Sequence, residues 1–322
     1  MAARPRIERR AVHGLLLLDK PLGMTSNAAL QGVKYLYRAE KAGHTGTLDP
    51  LATGLLPICF GAATKFSQVS LDADKHYRAT LQLGVTTTTG DAEGEVLERR
   101  PVRVTREQLA ATCARFTGSV SQQPPMHSAL KHAGRPLYAY ARAGIEVERL
   151  PRNVSIHGID VVEGQGDCWT LDVRCSKGTY VRTLAEDIGR ALGCGAHLSA
   201  LRRIGSGPLS IEAAVGLDAL EALDEGGRDA LLLNPDALLA EWPMVRLDGG
   251  EAGRFLSGLR RRVSLPDAPH VRVYGPEPRA FLGGGHIANG ELISTRLLSP
   301  TEAGAVQHAP AGWAPTFPRL ST

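Results

Sequence analysis

The chain has 322 residues, of which 43% are apolar and 22% charged, with a net charge of +4 and a pI near 8.9. That length excludes a single small core and suggests two domains of ordinary globular composition. The mild basic bias falls just short of the guideline for nucleic-acid binders, so charge alone permits RNA or DNA as a partner without requiring it.

The Arg-rich start, Met1 to Arg10, precedes an apolar run at Leu15–Leu18 that Asp19 ends. This run is too short for a signal sequence. No segment approaches the roughly 18 apolar residues of a membrane span, and a soluble, cytoplasmic protein is expected. The five cysteines, Cys59, Cys113, Cys168, Cys175 and Cys194, include no C-x-x-C pair. They read as reduced, buried thiols, not as a disulfide framework or a zinc ribbon. Cys194 with His197 is half a ligand spacing with no second half nearby, and no metal is expected.

Leu15–Leu18 reads as a buried strand running into a loop at Asp19-Lys20-Pro21. Thr25 or Ser26 can cap the helix that follows, with Leu30, Val33 and Tyr37 on its apolar face. Residues 43–57, GHTGTLDPLATGLLP, hold three glycines and two prolines, the composition of a shaped loop with a function. Tyr77, Ala79, Leu81 and Leu83 alternate with polar residues as a half-buried strand does. Thr105 and Gln108 form a capping-box pattern before Leu109 and Phe116.

Residues 121–151 interleave prolines, glycines and basic residues with Tyr138 and Tyr140. They read as a long basic loop or a short helix on a stalk. Trp169, Leu171, Val173 and Cys175 form another alternating strand, ending at KGTY. The next helix is expected to carry a capping box at Thr183 and Glu186, an apolar face at Leu184, Ile188 and Leu192, and a stop at Gly193. After Trp242-Pro243 come short strands and turns, with the triple glycine 283–285 among them, and a domain boundary is placed near residue 245. Because strands and helices mix without a regular βαβ rhythm, the expected class is α+β.

Phosphate-loop, dinucleotide, zinc-protease and serine-hydrolase signatures are absent; Gly205-Ser-Gly207 stops at Pro208. The segment Gly43–Gly54 then stands out. Pro50 holds Asp49 extended, and the glycines let the backbone pass close to other groups. An arbitrary Asp-Pro is usually only a turn. Here, however, GHTGTLDPLATGLL resembles the active-site motif of the TruB-type tRNA pseudouridine synthases. The similarity continues through GLLLLDKPLGMTS, KHYRATLQLG, PPMHSALKHAGRPLYAYARAG, CSKGTYVRTLAEDIG and LSALRRIGSGP. The C-terminal stretch from FLSGLRRRV to FLGGGHIANGELISTRLL resembles a PUA domain, although its triple glycine departs from the usual pattern.

This resemblance implies a pseudouridine synthase fold: a mixed, largely antiparallel sheet with flanking helices over residues 11–245 and a thumb insertion at about 121–151. A PUA-like RNA-binding domain would occupy 246–322. It also implies catalytic roles for Asp49, Tyr77 and Arg182, and substrate contacts at Lys20, His44, Lys65, Lys131, Arg142, Tyr180, Leu201 and Arg202. The implied reaction is isomerisation of uridine 55 in the T-stem-loop of tRNA, with no cofactor and no obligatory protein partner.

On the residues alone, Tyr77 could be a core tyrosine, Lys20 and Lys65 solvated lysines, His44 a loop histidine and Arg260–Arg262 a solvated patch. Arg182 stands just before a helix N-terminus, where the dipole disfavours a cation, so an anionic partner is expected. Two other functions stay open: an RNA-binding or chaperone protein without catalysis, and a nucleosidase that releases the base. Since the catalytic motifs all lie upstream of the boundary, a chain ending just after Pro243 is expected to fold.

Overall fold

The structure, a computed structural model, describes residues 8–128, 130–276 and 280–307. The strand Gly14–Lys20 is buried almost throughout and continues through Asp19 and Lys20, beyond the expected loop start. Its unbroken apolar run has a packing reason. Side chains alternate across a strand, and here both faces are covered: Leu15 and Leu17 enter one core with Phe66 and Phe281, while Leu16 and Leu18 enter another with Val33, Tyr37 and Ile58.

Among the described residues the main sheet has ten strands. Gly14–Lys20 pairs antiparallel with Ala52–Phe60, which runs parallel to Ala196–Ser206. The sheet continues antiparallel through Lys75–Leu83, Cys168–Cys175, Arg152–Gln165 and Gly118–Gln122. The result is a mixed, largely antiparallel α+β sheet with flanking helices.

The helix Ser26–Leu36 is capped by Thr25, whose hydroxyl accepts from the Ala28 amide at 3.1 Å. Both halves of the Thr105–Gln108 capping box form. The expected Thr183–Glu186 box does not: the helix runs Val181–Ala191 with Tyr180 as N-cap and no side-chain cap. It starts three residues early because Gln122 holds the cap backbone, accepting from the Tyr180 amide at 3.0 Å and donating to its carbonyl at 3.3 Å. Gly193, at φ +80°, lies just past the end, as its position in the sequence suggested.

Residues 121–151 combine both expected forms. A two-residue hairpin, Lys131–His132 with Arg135–Pro136, leads into the short helix Leu137–Ala141, anchored by buried Leu137.

A second, five-stranded sheet begins at Met244–Arg246 and has its own core of Val245, Phe255, Val271, Val273, Ile287 and Leu292. The triple glycine lies inside the strand Phe281–Ala288, not in a turn. A Cβ at Gly283 would fall 2.1 Å from the Arg296 carbonyl oxygen, and one at Gly284 would fall 3.1 Å from the Trp242 ring.

Tyr274, Phe281, Leu298 and Val306 pack into the same core as Leu15, Leu17, Phe66, Leu238 and Leu239. This shared core changes the expectation for a chain truncated after Pro243. Removing four large apolar partners should cost about 6–12 kcal/mol, at 1.5–3 kcal/mol for each fully buried side chain. The urea midpoint of the truncated chain should fall well below that of the full chain. An unchanged midpoint would show that the two parts fold independently.

Candidate active site

Asp49 sits in a loop whose backbone is pinned on both sides. Ser26 Oγ donates to the Leu48 carbonyl at 2.9 Å and accepts from the Leu48 amide at 2.7 Å, both groups being buried. The Gly23 amide donates to the Pro50 carbonyl, and the Ala52 amide to that of Asp49. Gly54, at φ +99°, lets the following strand pass so close to Arg203 that a Cβ would lie 2.3 Å from the Arg203 carbonyl oxygen.

The Asp49 carboxylate lines a pocket of about 250 Å³ together with Tyr77, Lys75, Tyr180, Arg182, Leu201 and Arg203. Its side chain is 45% exposed, and Arg182 Nη2 stands 3.0 Å from Oδ2. Arg182 itself is 7% exposed. Its Nη1 donates to Asp91 Oδ2 at 3.2 Å and its Nη2 to the His127 carbonyl at 2.5 Å. Asp91, 2% exposed, is held in turn by Thr89 Oγ1 at 2.5 Å and the Glu93 amide at 3.1 Å.

The guanidinium thus bridges two carboxylates, one aimed at the pocket and one behind it. Two anions offset the unfavourable helix dipole at Arg182. Burial pushes the Asp49 carboxyl above the usual carboxylate range. Arg182 opposes that rise, Asp91 adds to it, and Lys20 and His127 oppose it more weakly.

Tyr77 is half-buried between two cores and opens onto the pocket. Burial raises its phenol pKa, and the Arg203 guanidinium beside it pulls it back. Tyr180 and Leu201 complete the wall.

The other sequence-derived candidates lie elsewhere. Lys20 is fully buried, not a solvated lysine; its ammonium donates to the Pro21 and Met24 carbonyls at 2.8 and 2.6 Å, and burial lowers its pKa to about 8. It holds the turn against which the Asp49 loop rests. Lys65 donates to the Leu297 carbonyl at 2.9 Å and pairs with Glu302 at 2.5 Å, so it ties the short helix Gly61–Phe66 to the second sheet and to the helix Pro300–Gln307, and it does not line the pocket.

Arg202 pairs with Asp19 at 2.6 Å. Strand alternation explains this correction: Leu201 and Arg203 share the pocket face, and Arg202 points away. His44 lies on the short strand Ala42–His44 opposite Ile58, outside the pocket walls, with its buried Nδ1 lacking a partner among the described residues. Lys131 and Arg142 are exposed on the thumb, Arg142 with its guanidinium 5.4 Å from the Tyr138 ring centre. In the C-terminal basic run, Arg260 and Arg261 are taken by Glu291 and Glu251.

Sequence reasoning missed Asp91, Gln122, Lys75 and Arg203. Arg203 and Lys75 carried a readable signal, two residues from Leu201 and from Tyr77 on alternating strands.

The fold is that of the pseudouridine synthases. The structure superposes with a TM-score of 0.68 on a chain of the crystal structure of a Cbf5-Nop10-Gar1 complex, at 24% identity over 90% of this chain and 87% of that one. It superposes equally well on one from the archaeal box H/ACA sRNP Nop10-Cbf5 complex, at 21% identity over 94% and 90%.

Residues 34–181 match the TruB family pseudouridylate synthase N-terminal domain, 182–240 the tRNA pseudouridylate synthase B C-terminal domain, and 243–298 the pseudouridine synthase II TruB C-terminal domain. The chain is 58% identical over 308 residues to the tRNA pseudouridine synthase B of Verminephrobacter eiseniae, covering 94% of this chain and 93% of that one. It is 56% identical over 308 residues to that of Cupriavidus pinatubonensis, covering 91% and 96%. The chain belongs to the TruB family of pseudouridylate synthases.

Proposed function

We propose that this chain isomerises uridine 55 in the T-stem-loop of tRNA to pseudouridine, acting alone in the cytoplasm and using Asp49 as its reactive carboxylate. Membership of a pseudouridylate synthase family supports the reaction class. The single observation that carries the residue assignment is the Asp49–Arg182–Asp91 bridge at the pocket wall. Among the described residues no helix is long and apolar enough to cross a membrane.

The reaction breaks the N-glycosidic bond, turns the uracil and joins C5 to C1′, with no redox step. In this reading Asp49 attacks ribose C1′, adds to the base, or takes a proton from C2′ to form a glycal. Arg182 keeps the carboxylate ionised against the burial that would protonate it. Tyr77 and Leu201 bracket the base. The exposed thumb, with Lys131 and Arg142, offers contacts that help offset the few kcal/mol needed to extrude the nucleotide. The division into a catalytic part up to residue 245 and a PUA-like part from 246 belongs to the same reading.

The test is tritium release from tRNA carrying [5-³H]uracil, followed by mapping of the modified position. Release with pseudouridine at the T-loop site is expected. Free uracil would instead indicate a base-releasing nucleosidase, and binding without release a protein that only holds RNA.

Tyr77 gives a graded prediction. If its hydroxyl moves a proton, Tyr77→Phe should slow single turnover by roughly 10²–10⁴-fold, the usual worth of a positioned acid or base. A near-normal rate would leave only stacking.

A further inference from the structure

Two buried cations line the pocket without a carboxylate. Arg203 is 1% exposed; its Nε donates to the Leu55 carbonyl at 2.7 Å and its Nη2 to the Gly46 carbonyl at 3.0 Å. Lys75 is 7% exposed, and its ammonium donates to the Ser70 and Ala73 carbonyls at 3.0 and 2.5 Å. Among the described residues neither has a carboxylate at ion-pair distance, whereas Arg182 in the same pocket has two.

The fold crowds these charges in place. Arg203 is the cross-strand neighbour of Tyr77, and a Cβ at Gly46 would lie 3.1 Å from Arg203 Nη1. Burying an ion costs several kcal/mol unless an opposite charge or good hydrogen bonds compensate. Carbonyl dipoles hold these two, yet the charge of each stays unneutralised beside the reacting groups. Fixed charge of this kind is what a site needs where the opposite charge develops during reaction.

That opposite charge follows from the chemistry proposed above, on which this inference rests. When the C1′–N1 bond breaks, its electron pair leaves with the uracil, which becomes an anion with charge spread over its ring nitrogens and carbonyl oxygens. C1′ is left to bond with an Asp49 oxygen, or C2′ surrenders a proton to that oxygen. After the base turns, the ring's electrons form the C5–C1′ bond as the Asp49 oxygen leaves C1′, or as Asp49 returns the proton to C2′; the proton on C5 is then lost to Asp49 or water, and N1 takes up a proton. Between the breaking of one bond and the making of the other the uracil is negative, inside a pocket whose one anionic wall residue, among the described residues, is Asp49.

We propose that Arg203, reinforced by Lys75, stabilises the departing uracil anion and is an electrostatic contributor to glycosidic bond cleavage.

The test uses the full chain in single turnover on tRNA with either uridine or 5-fluorouridine at the target position, reading disappearance of the starting nucleotide after digestion. Fluorine withdraws electrons, so 5-fluorouracil carries the departing pair with less help. Arg203→Gln should lower the rate on uridine by about 10²–10³-fold, the scale of one lost charge-stabilising donor. Arg203→Lys should recover most of that rate, because it keeps the charge. The deficit of Arg203→Gln should shrink about tenfold on the fluorinated tRNA, equivalent to 1.4 kcal/mol.

An equal deficit on both nucleotides would overturn the proposal, as would no deficit at all. So would weakened tRNA binding with a shallower salt dependence and an unchanged rate, which would make Arg203 a phosphate contact. Should Arg203→Gln prove unfolded by its melting curve, Lys75→Met, which keeps the apolar stem, decides by the same comparison. A wild-type chain that freed uracil in place of releasing tritium would defeat the proposed isomerisation and not this residue assignment, which concerns the cleavage step alone.

Discussion

Asp49→Asn is expected to reduce multiple-turnover pseudouridylation to background while tRNA affinity stays within a few-fold. The carboxamide keeps the shape of the side chain, and the loop holding it does not depend on the charge. That loop is fixed by Ser26 on Leu48 and by the backbone bonds of Gly23 and Ala52. Arg182 retains Asp91, so the substitution leaves no buried cation stranded. What disappears is the anion able to attack carbon or accept a proton.

Stability provides a second readout. Because burial raises the Asp49 pKa in the folded protein above its unfolded value, its ionisation opposes folding above the unfolded pKa, and that cost vanishes at acid pH. At neutral pH the melting temperature of Asp49→Asn should therefore match or exceed that of the wild type. Measurable multiple turnover by this variant would end the proposed mechanism, and a drop of several degrees would show that the carboxylate is structural.

Arg182→Met should lose activity and stability together, and should also shift the pH dependence. Removing the guanidinium strands Asp91, which is 2% exposed, and breaking a buried pair from one side costs about 3–5 kcal/mol. The pH effect has a definite sign. Burial and Asp91 push the Asp49 pKa up, and Arg182 is the largest influence holding it down. Without Arg182 that pKa rises further, so the acid limb of the residual single-turnover rate should move to higher pH.

Arg182→Lys keeps a charge but loses the planar fork that reaches Asp49, Asp91 and the His127 carbonyl at once, so it should not restore the rate. If the limb stays put and lysine works as well as arginine, Arg182 is better read as a phosphate contact.

Much of this architecture was legible beforehand. The alternation around Tyr77 and Trp169 and the Thr105–Gln108 cap are local patterns, and each produces the local structure it encodes; the loop expected over 43–57 is confined to 45–51, because the strands Ala42–His44 and Ala52–Phe60 pair with each other and take up the rest. The misreadings share one feature: they concern which distant group occupies a side chain. Lys65 and Arg202 read as free cations until the fold delivers Glu302 and Asp19 to them. Thr183 reads as a cap until Gln122, 58 residues away, holds the backbone of Tyr180 instead.

The sequence by itself determined the family, the candidate carboxylate and most of the strands and helices that carry the site, because motif spacing and hydrophobic periodicity act over a few neighbouring residues. Only the tertiary structure decided the charge arrangement of the pocket. Asp49, Asp91 and Arg182 come from three separate segments, and Arg203 faces Tyr77 through strand pairing. Whether a buried ion is neutralised or left to act on a substrate depends on what packs within a few ångströms of it, and in this chain those partners come from segments far apart in sequence.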